Sequence, residues 1–156
     1  MTNLTKILCA VDFSATSRRA LEYATALSQK FSAELVLLHV LEQVPLLSAY
    51  TGRPEIGELR SKQEAVKSQL AAWLEGAGAG GAGARLEVAR GATVETILRF
   101  CEEFKPDVLV MGTHGRRSLD AALFGSTTYR VIRRAPCPVF VVRLPRDAAA
   151  HEPPRK

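Results

Sequence analysis

LVMGTHGRRSLDAALFGSTT, residues 109–128, decides how the rest of the chain is read. Its front half belongs to the apolar run Val108-Leu109-Val110-Met111, short and β-branched enough for a buried strand. The run breaks into Gly112-Thr113-His114-Gly115. After nine residues, Gly125-Ser126-Thr127-Thr128 opens a helical pattern that ends near Arg134. Two glycine corners therefore flank a short insert. Glycine lets main-chain N–H groups approach a ligand with no Cβ in the way. Ser126 and Thr127 add hydroxyls and suit a helix start. A helix start carries unpaired N–H groups and a partial positive charge, so it favours an anion. Each glycine alone reads as an ordinary turn. The full spacing, G-x2-G-x9-G-S between strand and helix, reads as a phosphate site held by both corners.

The 156 residues suffice for one domain with a real core. Apolar content of 47% and charged content of 24% are those of a soluble globular protein. No apolar run approaches the ~20 residues that span a bilayer. The first twelve residues carry one Lys and no small-residue cleavage pattern, so a cytoplasmic location is expected. Cys9, Cys101 and Cys137 are scattered without a CxxC, which argues against a disulfide framework and a zinc site. Cys9 and Cys101 read as small core residues. The net charge of +5 comes without Lys/Arg runs interleaved with aromatics, so nucleic acid is not the expected partner. The positive balance suits a small polyanion instead.

Residues 5–11 read as a buried first strand, closed by Asp12-Phe13-Ser14. Ser14 or Ser17 caps a helix to about Lys30, with Ala20, Leu21, Ala24, Leu27 and Phe31 on one face. Residues 34–40 are a second strand. Residues 42–55, with Pro45, Gly52 and Pro54, form a long connection. Leu59, Val66, Leu70, Trp73 and Leu74 mark a second helix ending near Glu75. Residues 76–84, GAGAGGAGA, contain a literal G-x-G-x-x-G. A helix precedes it and a strand follows, the reverse of a dinucleotide loop, so it reads as a flexible linker. Residues 85–89 are a third strand. A helix from Gly91-Ala92-Thr93 points Val94, Ile97, Leu98 and Cys101 inward. Strand four is 108–111 and strand five is 139–142. Residues after Leu144 read as disordered.

This β/α alternation implies a three-layer α/β domain, a parallel sheet with helices on both faces. Ligands of such sheets sit beyond the strand C-termini where strand order reverses. With strands one and four adjacent at that point, Asp12 and Gly112 face one crevice. Asp12 then either bonds a helix start or accepts a ribose hydroxyl or joins a metal site. His39 reads as packed. Main-chain groups of Val40 can bond an adenine edge. His114 is a phosphate donor or a plain turn residue. Arg116 and Arg117 are phosphate partners or solvated loop residues.

ILCAVDFS, LVLLHV, PDVLVMGTHGR, GST and APCPVFVVR together resemble the ATP-binding branch of the universal stress protein family, from Lys6 to Arg143. The resemblance implies a Rossmann-like, adenine nucleotide alpha hydrolase-like fold over residues 1–144, strand order 3-2-1-4-5, with a basic tail at 145–156. It implies that Ala10, Val11 and Asp12 line a nucleoside pocket and that Val40 meets adenine through its main chain. Met111 and Gly112 would flank ribose and phosphates. His114, Gly115, Gly125, Ser126, Thr127 and Thr128 would hold the triphosphate. It further implies ATP with Mg²⁺ or Mn²⁺, and a homodimer through Val139 to Val142. The expected role is a nucleotide-dependent regulatory module with an unknown protein partner. The alternative is an ATP-using enzyme on the same fold. The loop after strand one is VDFS rather than SGGxDS, and neither HxGH nor a Walker A loop occurs. No paired carboxylate or poised base is apparent, so slow hydrolysis at most is expected.

Overall fold

The computed structural model describes residues 3–42, 56–78, 83–113 and 125–145. In chain order the elements are β1 (Lys6–Ala10), α1 (Ala15–Phe31), β2 (Glu34–Glu42), α2 (Ile56–Gly76), β3 (Arg85–Gly91), α3 (Thr93–Phe104), β4 (Val108–Gly112), α4 (Ser126–Arg134) and β5 (Val139–Val142). The strands form one five-stranded sheet ordered β3-β2-β1-β4-β5. All four pairings are parallel. The expected order is therefore the observed one, and the reversal falls between β1 and β4.

Alternation along the strands divides the core into two layers. Ile7, Cys9, Leu35, Leu37 and Val110 face α1 and α2, packing with Ala20, Leu21, Ala24 and Leu70. Leu8, Val36, Leu38, Leu109 and Met111 face α3 and α4, packing with Val94, Ile97, Cys101 and Val131. Cys9 and Cys101 are core residues as expected. Burial pushes each of these two thiols up to about 12, which rules them out as ready nucleophiles.

The helix boundaries follow from local chemistry. Ser14 is the cap that starts α1, its hydroxyl accepting from the Ser17 N–H. Ser32, left-handed at φ 52°, ends it. Lys105 does the same for α3 at φ 53°. Of the expected apolar faces, Leu27, Leu59, Val66, Trp73 and Leu74 are half-buried, and Phe31 is 49% exposed. It lies in the last turn of α1, before the first paired residue of β2. β2 also runs two residues further than its sequence suggests, because β3 carries the pairing to Glu42↔Gly91. The 42–55 connection beyond Glu42, the middle of the Gly/Ala linker and the tail beyond 145 lie outside the described residues.

Candidate functional site

The crevice opens where β1 stops and β2 continues. The Val11 N–H donates to the Leu38 carbonyl at 2.9 Å. A continuing parallel ladder would next place the Val40 N–H on the Val11 carbonyl. That carbonyl instead meets the Nδ1 of His39 at 2.7 Å. A carbonyl only accepts, so Nδ1 carries the proton. Leu38 and Glu34 both turn their main chain toward β1, Glu34 donating to the Thr5 carbonyl at 2.8 Å. By the two-residue period Val40 turns the same way, past the end of β1. Among the described residues no backbone partner meets its N–H or C=O on that side. His39 is thus a satisfied, packed histidine, as its sequence context suggests.

Between β1 and α1 the chain makes a tight corner. The Asp12 Oδ1 accepts from the Ser14 N–H at 3.0 Å, and the Asp12 N–H donates to the Ser17 hydroxyl at 3.4 Å. One carboxylate oxygen of Asp12 therefore steadies the turn. Phe13 sits at φ 62°, a left-handed conformation that costs a bulky residue about 1–2 kcal/mol. Its ring is 4.7 Å from that of His39 and 5.0 Å, edge-on, from that of Trp73. Packing under α1 and α2 offsets the backbone strain. Neither Phe13 nor Trp73 stands out in the sequence as part of a site, since an aromatic beside a turn carries no motif.

Across the reversal, Gly112 is close-packed rather than merely flexible. A Cβ there would lie 2.5 Å from Thr16 Oγ1 and 2.8 Å from the Thr16 carbonyl carbon. β4 and the first turn of α1 touch at that point, which accounts for the glycine. The two corners also meet directly. The Gly125 N–H donates to the Thr113 carbonyl at 2.8 Å, and the Thr128 hydroxyl donates to the Gly112 carbonyl at 2.9 Å. Thr113 in turn donates its N–H to Val142 at 2.9 Å. Thr113 hides in an x position of the glycine pattern, and only its main chain does this work. The Thr128 side chain is buried and spent on the link between β4 and α4.

Gly125 is the cap of α4 and supplies no side-chain bond to the helix start. The N–H groups of Ser126 and Thr127 have no intrahelical acceptor by helix geometry. Of the remaining expected residues, Ala10 is part-buried at the end of β1, while Met111 is buried on the α3/α4 face. His114 and Gly115, with Arg116 and Arg117, lie outside the described residues. The arrangement brings together the Ala10–Asp12 corner, the open main chain of Val40, Gly112 and the start of α4 at one reversal point. Among the described residues, no three His, Cys, Asp or Glu side chains cluster as a metal site.

The sequence pattern of the universal stress protein family matches residues 3–143. This chain belongs to the universal stress protein family. Universal stress protein MJ0531 of Methanocaldococcus jannaschii is 34% identical over 152 residues, covering 90% of this chain and 83% of its own length. The solved structure of universal stress protein UspA from Lactobacillus plantarum is 27% identical, with a TM-score of 0.75 and coverage of 92% and 100%. The universal stress protein from Archaeoglobus fulgidus in complex with dAMP is 21% identical, with a TM-score of 0.59 and coverage of 90% and 99%. At that identity the likeness bears on the fold.

Proposed function

We propose that this chain is a cytoplasmic, ATP-binding regulatory module whose nucleotide occupies the crevice at the β1/β4 reversal. The observation that carries this reading is the convergence of two kinds of main chain without a partner among the described residues. Val40 offers an N–H and a C=O, the pair an adenine edge requires. The start of α4 offers N–H groups and a partial positive charge, suited to a phosphate tail. Asp12 is the ribose acceptor, through the oxygen that has no partner among the described residues. Ser126 and Thr127, with His114 and Gly115, hold the phosphates. The Archaeoglobus fulgidus protein of the same fold is in complex with dAMP, a ligand of the class proposed here.

A Mg²⁺ or Mn²⁺ ion would arrive with the phosphates, keeping several of its own waters. Turnover is expected far below the ~10 per second of a typical enzyme. The bound nucleotide biases association instead. β5 is a sheet edge, and beside it Phe140 and Tyr23 form an exposed ring pair 5.7 Å apart. A two-fold dimer through Val139–Val142 covers both. Residues 145–156 are a tail outside this module.

Calorimetry with ATP and Mg²⁺ tests the site. Micromolar binding by the native chain, abolished by Gly115→Val and Gly125→Val, is expected. Unchanged affinity in both variants would remove the site. Mass spectrometry of any co-purifying nucleotide names the physiological ligand. Light scattering that finds a monomer at micromolar concentration would refute the dimer, and phosphate release near ten per second the non-enzymatic role.

A further inference from the structure

We infer that His39 is a positioning residue that keeps β1 and β2 from zipping together and thereby frees the Val40 main chain to read an adenine edge. The inference rests on the nucleotide site proposed above and adds the residue that creates its base pocket.

The argument starts from ladder geometry. Val11 and Leu38 make the last observed bond of the β1/β2 ladder, at 2.9 Å. One step further, the Val40 N–H and the Val11 carbonyl would be partners. His39 lies between them in the chain and on the opposite face of the sheet, where Leu35 and Leu37 also point. From there its Nδ1 reaches the Val11 carbonyl at 2.7 Å and occupies it. The ring cannot easily leave. Phe13 packs against it at 4.7 Å and is itself braced by Trp73 at 5.0 Å. Phe13 takes the left-handed φ of 62° two residues after the occupied carbonyl. The side-chain bond thus replaces a strand bond and leaves the Val40 N–H and C=O facing the crevice. The device acts through Val11 and Val40, and the imidazole itself need not touch the nucleotide.

The test is backbone amide exchange at Val40, followed by NMR on the full chain, with ATP affinity measured in parallel. In the native chain Val40 should exchange fast without nucleotide and slowly with ATP and Mg²⁺. In His39→Leu, the freed carbonyl should capture the Val40 N–H. Val40 should then be protected without nucleotide, and ATP affinity should fall about tenfold. His39→Gln carries its amide at the Nε2 position, misses Val11 and should behave like the leucine variant; it serves if the latter does not fold. His39→Asn carries an amide at the Nδ1 position and should restore both fast exchange and affinity. A merely structural histidine would lower the melting point without changing Val40 protection. Native binding with unchanged Val40 exchange and affinity within twofold in His39→Leu or His39→Gln would overturn the inference alone. A native chain that binds no adenine nucleotide would overturn the proposed function, and the base-pocket role with it.

Discussion

The two ends of the sheet use the same materials and leave them in opposite states. At the end where the strands begin, the Asp107 carboxylate accepts from the Thr5 N–H at 2.7 Å, the Lys6 N–H at 2.9 Å and the Thr5 hydroxyl at 2.9 Å. The Asp107 N–H returns to the Lys6 carbonyl at 2.8 Å. At the end where the strands finish, Asp12 also guards a turn, and among the described residues only the Ser14 N–H bonds its carboxylate. Val40 and the first turn of α4 keep main-chain groups facing the crevice. A buried or half-buried polar group left unpaired costs free energy, so such an end persists only where something else is over-determined around it. Here that is the Phe13, His39 and Trp73 cluster and the clasp of Thr113 and Thr128. The difference teaches where to look for a ligand: beside the strand ends whose main-chain groups stay open.

Perturbing each end separately breaks or sharpens this comparison. The largest effect belongs to Gly125→Val. Its φ of −52° is open to any residue, so the fold should survive while ATP affinity falls beyond detection by calorimetry. Next is Gly112→Ala. The added Cβ meets Thr16 backbone at 2.8 Å, which is not relieved by turning a side chain. A loss of about 2–3 kcal/mol in urea unfolding is expected, together with weaker nucleotide binding. Ser14→Ala removes the cap of α1 and should cost about 1 kcal/mol in the same measurement.

The smallest effect is at the end where the strands begin. Hydrogen bonds from the Thr5 N–H first, then from the Lys6 N–H and the Thr5 hydroxyl, lower the Asp107 pKa. A lowered folded value means the contribution is whole above the unfolded carboxyl range near pH ~4 and is lost as pH falls through the folded value. Asp107→Asn should flatten that part of the acid unfolding curve and leave ATP affinity untouched. A change in affinity would show that the two ends are coupled.

Much of this was legible without coordinates. Apolar runs such as Val108 to Met111 and the stripe through Ala20, Leu21 and Ala24 carry periods that only a buried strand or an amphipathic helix satisfies. The corner at Gly112 to Gly125 announced itself because glycine spacing is a local property. What could not be read is where a period stops mattering. Phe31 keeps the helical period of α1 yet is exposed in its last turn. Thr128 looks like a ligand hydroxyl in sequence but spends its donor on Gly112.

By itself, then, the order of residues determined the elements, their alternation and hence a parallel sheet with a reversal point, because chain periodicity and crossover handedness are short-range constraints. Tertiary structure alone decided which polar groups stay open. Whether the Val11 carbonyl is taken by His39 or by Val40 depends on residues 28 and 29 positions apart in the chain meeting in space, and hydrogen bonds are competed for by whatever the fold brings within 3 Å.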